Sequence, residues 1–171
     1  AVMTPDAVGP LAIEYILATR HLKSSMPEEF SALSPVCALK PGVLGSTGIE
    51  SAETLRAVCD SVHPAQIIAV DALAAASLER LCTTVQLSDA GIVPGSGVGN
   101  DRAALSKDTL GAPVIAIGVP TVVDASAFSD DDAARGMFVT PRDIDASVRS
   151  LAKLIGYAVN LALHDGLTIS D

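Results

Sequence analysis

A chain of 171 residues that is 49% apolar but only 3% aromatic, with no tryptophan, can bury one core and must build it from Ala, Val, Ile and Leu. Eleven basic residues against twenty acidic ones leave a formal net charge of −9, which opposes a phosphate backbone and disfavours direct nucleic-acid binding. No apolar run reaches the roughly 18 to 20 residues of a membrane span, and no signal peptide with a basic start is expected.

The opening "MTPDAVGPLAIEYILATRHL" carries a helix start at Thr4 and Pro5, with Gly9 and Pro10 interrupting the first turns so that a regular helix is expected from Leu11. "PVCALKPG" reads as a short buried strand ended by Pro41 and Gly42, and "GVLGSTGIES" as a glycine loop feeding a helix of roughly residues 51–62. In "IIAVDALAA" the four residues before Asp71 show no alternation, as in a strand covered on both faces. The alanine-rich residues after it favour a helix over 72–80, which places Asp71 at the carboxyl edge of a central strand.

Residues 83–89, "TTVQLSD", alternate as a half-exposed edge strand does. A second glycine loop, "GIVPGSGVGN", precedes "APVIAIGVP", another unbroken apolar run and so another central strand. "FSDDDAARG" reads as an exposed acidic linker, and Thr140 and Pro141 open a long helix with Ile144, Val148, Leu151, Ile155 and Val159 at helical spacing. Alternating strands and helices without a tandem repeat predict a single three-layer α/β/α domain over residues 1–171, with a mostly parallel central sheet.

Four acids are candidates for the sheet's carboxyl edge: Asp6, Asp71, Asp89 and Asp124. Asp89 before Ala-Gly fits a turn, and Asp124 is balanced between a helix end and a site. Asp71 is equally compatible with an N-cap and with chemistry. Asp6 in a first helical turn is explained by the helix dipole alone. If Asp6 and Asp71 face each other, though, a helix terminus and a dry sheet edge push their pKa values apart, as a general base and a general acid require.

His21, His63 and His164 all fall at carboxyl ends of expected helices and read as caps. Cys37, Cys59 and Cys82 lie in apolar segments and read as reduced, buried small hydrophobes of an intracellular protein. The chain has no HExxH, CxxC or GxSxG motif. The loop Gly95-Ser96-Gly97-Val98-Gly99-Asn100 is a weak phosphate cradle, but a possible source of backbone N–H donors for a peptide or an oxyanion.

"MTPDAVGP", "ATRHL", "KPGVLGSTGIES", "IIAVDALAAASLERL", "VQLSDAGIVPGSGVGN", "LSKDTLGAPVIAIGVPTVVDA" and "FVTPRDID" resemble, in order and nearly in wording, the spore germination endopeptidases. The resemblance implies a fold similar to the hydrogenase maturation endopeptidases. It also implies a cytoplasmic homotetramer of the spore core, made as a zymogen, that cuts small acid-soluble spore proteins after a glutamate during germination. No cofactor is implied. The family's proposed catalytic aspartates fall in "TPD" and "AVDAL", here Asp6 and Asp71. Relative to the family, the propeptide, a glycine-ended strand ahead of "MTPD" and a long insertion at residues 128–136 are expected to be missing. A missing first strand would leave a sheet edge open and Asp6 poorly anchored.

Backbone donors for a substrate peptide are expected at Gly45, Ser46, Thr47 and Gly48 and at Gly95, Ser96, Gly97 and Asn100. Arg20, Arg80 or Lys107 is expected to supply a cation for the substrate glutamate, since each lies inside a family-like motif of an acidic chain. Two other readings stay open: a catalytically silent peptide binder on the two glycine loops, and a metal-dependent version, for which carboxylates without a histidine suit magnesium or calcium better than zinc.

Overall fold

In the computed structural model of the chain, which describes residues 4–99 and 102–168, helices flank both faces of a four-stranded mixed sheet. In chain order the elements are α1 (Val8–Ala12), α2 (Arg20–Ser25), α3 (Leu44–Thr47), α4 (Ser51–Val62), β1 (Ile67–Ala75), β2 (Gln86–Ser88), α5 (Lys107–Leu110), β3 (Val114–Asp124), β4 (Phe138–Val139) and α6 (Ile144–Leu163).

The strand β3 is the centre of the sheet. It pairs in parallel with β1 from Ile67 opposite Val114 to Ala75 opposite Val123, which sets Asp71 beside Gly118. Both other pairings, β2 on residues 116–118 and β4 on Val123 and Asp124, are antiparallel. The sheet is therefore mixed rather than mostly parallel, and among the described strands β1 has a neighbour on one side only. The expectation that β1 is central is corrected on that point: an unbroken apolar run reports burial on both faces, and burial of faces says nothing about the number of neighbours within the sheet.

Parity along the strands separates two cores. Ile68, Val70 and Ala72 of β1, with Ile117 and Val119 of β3, face Val8 and Ala12 of α1 and Val148, Ala152, Ile155 and Val159 of α6. Ile67, Ala69 and Val114 on the other face pack with Leu55 and Cys59 of α4 and with Leu105 and Leu110. Each fully buried Val or Ile in such a layer contributes roughly 1.5–3 kcal/mol relative to leaving it exposed. The long helix starts at Ile144 behind Asp143 and buries the predicted stripe at Val148, Ile155 and Val159. Thr140 does not cap it; its hydroxyl donates to the Thr121 carbonyl at 2.8 Å instead.

Other expectations are corrected. The β1 strand does not stop at Asp71 but runs on to Ala75, and the expected helix over 72–80 is reduced to a 3-10 turn, Leu78–Arg80. Alanine's helix preference is a weak local bias, outweighed here by ladder bonds to β3 and by the burial of both faces. The "PVCALKPG" segment forms no strand, and Cys37 within it is exposed. Cys82 is half-buried with a left-handed backbone, φ 56°, so that only Cys59 is a buried cysteine, its thiol pushed up mainly by burial.

The first helical stretch is already α-helical at Val8, continues as a 3-10 turn over Ile13–Tyr15 and stops there. This leaves His21 in the first turn of α2 rather than at a helix end. The stop is held by Asn160 of α6, whose Nδ2 donates to the Tyr15 carbonyl at 2.7 Å and whose Oδ1 accepts from the Leu17 N–H at 2.9 Å. His63 and His164 do sit at the C-caps of α4 and α6. His164 is also buried, and its Nδ1 accepts from the Ser34 N–H at 3.2 Å.

Candidate active site

Asp71 lies in the middle of β1, on the face shared with Ile67 and Ala69. Its carboxyl is half-buried, and Oδ2 is fully buried without a hydrogen-bond partner among the described residues. Burial raises its pKa above the ordinary carboxylate value, and the charge of Asp6 raises it further. The backbone amides of Ala72 and Gly95 and the guanidinium of Arg102 pull the other way without reversing the shift.

Asp6 is brought near by the start of the first helical stretch. Its 3-10 turn, Pro5–Ala7, follows the N-cap Thr4 with proline at the first position and leads straight into α1. The helix can approach β1 because Gly9 has no side chain: a Cβ there would stand 2.4 Å from the Val70 carbonyl oxygen. Asp6, one turn earlier, thus stays beside Asp71 while remaining exposed to solvent.

The second glycine loop comes from the other layer. Gly97 rests on β1, where a Cβ would meet the Ala74 Cβ at 2.7 Å, and Gly95 takes a left-handed backbone, φ 72°. The loop's ends are tied by two bonds, Ile92 N–H to the Leu105 carbonyl at 3.0 Å and Leu105 N–H to the Ile92 carbonyl at 2.7 Å. Asp71, Asp6, Gly95 and Gly97 are therefore gathered at one place on β1, with Ser96 between the two glycines, exposed. Asn100 lies outside the described residues.

The "GSTG" residues Gly45, Ser46, Thr47 and Gly48 form not a loop but the single turn α3 and its left-handed end, all exposed, just before Glu50 and α4. Arg20 at the start of α2, Arg80 after β1 and Lys107 at the start of α5 are exposed, and none of them acts on the Asp71 carboxyl. The cation that does is Arg102, whose Nε donates to Glu50 Oε2 at 3.2 Å. Neither partner was singled out from sequence. The signal available was position: Arg102 directly follows the glycine loop, and Glu50 precedes a helix with Glu53 three residues on, as in a capping box.

Asp124 takes the helix-end role. Its carboxylate accepts from the Ser126 N–H at 2.8 Å and the Gly136 N–H at 2.9 Å, and the Ser126 hydroxyl and amide and the Gly136 amide hold its pKa below the ordinary value. Asp89 is exposed in a bend after β2. No three His, Cys, Asp or Glu side chains converge as a metal site among the described residues. A cleft of about 300 Å³ lined by Arg56, Asp60, His63 and Ala112 lies at the amino ends of β1 and β3, away from Asp71. No helix among the described residues is long and apolar enough to cross a membrane.

A half-buried aspartate whose pKa is raised, beside a second, exposed one and near a glycine loop, is an arrangement suited to proton transfer on a bound peptide. A family model described as germination protease matches residues 1–135. The germination protease of Clostridium tetani is 40% identical over 99% of this chain and 65% of its own length. That of Caldanaerobacter subterraneus is 41% identical over 97% of this chain and 64% of its own length. A Bacillus cereus germination protease is 55% identical over 75% of this chain and 35% of its own. The chain thus spans less than two thirds of the length of these relatives. On the extent of these matches, the chain belongs to the germination protease family, a family of peptidases.

Proposed function

We propose that this chain carries the centre of an endopeptidase that degrades small acid-soluble spore proteins at germination, cutting after a glutamate, with Asp6 and Asp71 as the proton-transfer pair. Asp6, exposed at a helical start, takes the proton of a water molecule as that water attacks the scissile carbonyl. Asp71, which keeps its proton to higher pH than an ordinary aspartate, donates it to the leaving amine. The Gly97 backbone amide is the donor for the developing oxyanion, since the Ser96 amide donates to the Val93 carbonyl at 3.2 Å and the Gly95 amide acts on Asp71.

The observation that carries this reading is the buried Oδ2 of Asp71, a polar atom with no partner among the described residues. Leaving such an atom unpaired costs about 1–3 kcal/mol, and its place near Gly95 and Asp6 supports a chemical use for it. The test is cleavage of a purified spore protein by the complete natural chain and by its Asp6→Asn and Asp71→Asn variants. Both variants are expected to stay folded and leave the substrate uncut; near-parental cleavage by Asp71→Asn would remove the aspartate from the chemistry.

Assembly as a homotetramer belongs to the same proposal. Leu154 and Leu161 on α6 and Leu87 on β2 are exposed apolar side chains of the kind a partner subunit covers. Sedimentation of the complete protein is expected to give a tetramer, and a clean monomer at micromolar concentration would contradict it.

A further inference from the structure

We infer that Arg102 is the specificity-determining residue of this centre, selecting an acidic side chain in the peptide presented to Asp71, with Glu50 positioning its guanidinium. The inference rests on the peptidase reading above and adds to it the group that reads the substrate. Among the ion pairs of the described residues, Lys40 with Glu14, Arg56 with Asp60 and Arg135 with Asp132 are at the surface, their side chains 43–89% exposed. The Arg102–Glu50 pair is different, at 21% and 27%. A cation drawn that far out of water needs a reason, because such pairs add little stability once desolvation is counted.

The placement comes from elements that are hard to move. Glu50 is fixed at the start of α4, its N–H bonded to the Glu53 carboxylate at 3.0 Å. Arg102 leaves the same loop that brings Gly95 to Asp71, three residues before the Leu105 tie to Ile92. At Gly91, φ 83°, a Cβ would collide with the Leu105 carbonyl oxygen, so the two arms of the loop cross in close contact. The Nε–Glu50 bond uses one of five guanidinium donors, and the two Nη groups have no acceptor among the described residues. That edge is the fork that receives a carboxylate in bidentate fashion. With Asp71 and Glu50 beside it, a site lacking Arg102 would repel an acidic side chain.

The test uses the complete natural chain and two peptides that differ only by Glu or Gln immediately before the scissile bond, read as the ratio of kcat/KM values. Loss of a charge-assisted bond predicts that the parent favours Glu by roughly 10- to 100-fold. Arg102→Gln is expected to bring the ratio within about threefold of unity, and Glu50→Gln to keep the preference for Glu. Should circular dichroism show Arg102→Gln unfolded, Arg102→Lys carries the test, its point charge expected to retain only part of the ratio. A folded Arg102→Gln or Arg102→Lys protein with the parental ratio overturns the inference and leaves the peptidase reading intact; a parent that cuts both peptides equally overturns the inference together with the glutamate preference, and leaves only the peptidase activity standing. A folded parent that cuts neither overturns the peptidase reading, and Arg102 falls with it.

Discussion

The backbone of Gly9 lies against the Val70 carbonyl so closely that a Cβ on it would stand 2.4 Å from that oxygen and 3.3 Å from the carbonyl carbon. This contact seats α1 on β1 one residue before Asp71, and it fixes how far Asp6 is from the half-buried carboxyl. Gly9→Ala must push the helix away, at a cost of about 1–3 kcal/mol for overpacking. The expected outcome is a lower melting temperature together with a loss of cleavage that persists at a temperature where the variant is fully folded.

A second close approach separates fold from site. Gly118, beside Asp71 in the ladder, would direct a Cβ to 2.3 Å from Leu73 Cδ1. The clash is with a side chain rather than with backbone, so it can be relieved. Gly118→Ala is expected to destabilise by about 1–3 kcal/mol, and the Gly118→Ala, Leu73→Ala double variant to be more stable than the sum of the two single effects predicts. Additive effects in urea unfolding would show that Leu73 is not the obstacle.

Much of this was legible in the sequence. The helix Ser51–Val62, the buried stripe of α6 and the apolar run of β3 follow from period and composition, because each is long and its pattern repeats several times. The length of β1 was not legible, since Ala72 to Ala75 are helix formers that pairing with β3 holds extended. The pair Asp6 and Asp71 could be picked out as candidates, but their approach depends on glycines that fit against other parts of the chain, and a glycine's neighbours are not written next to it. Arg102 escaped notice for the same reason: its partner Glu50 is 52 residues away.

The raised pKa of Asp71 has a consequence for stability. A carboxyl whose folded pKa exceeds its unfolded value favours folding fully only below the unfolded pKa, and that contribution is lost as pH rises through the folded pKa. Removing the charge should therefore help at neutral pH. Asp71→Asn is expected to melt at or above the parent temperature at pH 7, with the difference shrinking to nothing as pH falls below the ordinary aspartate range. A variant less stable than the parent at pH 7 by thermal melting would contradict the burial penalty.

Asp124 has the opposite sign. Its pKa is lowered by the Ser126 hydroxyl and amide and the Gly136 amide, so its contribution is present above the unfolded pKa and lost as pH falls through the folded one. The same carboxylate ties both ends of the acidic segment 125–136. Asp124→Ala is expected to speed limited proteolysis within residues 128–136 at pH 7, while the parent shows comparable susceptibility only in acid. Equal nicking rates for the two proteins at pH 7 would show that the loop is held by something else.

The role of Asp71 as a proton-transfer group is decided by a single substitution. Asparagine has nearly the shape of aspartate and cannot shuttle a proton, and losing such help costs roughly 10²- to 10⁴-fold in rate. The measurement is the rate of spore-protein cleavage by the complete natural chain carrying Asp71→Asn, made beside its thermal melt. The expected result is a folded protein, melting at or above the parent, that leaves the substrate uncut over at least about a hundred parental half-lives. Cleavage at a near-parental rate by that folded protein would contradict it.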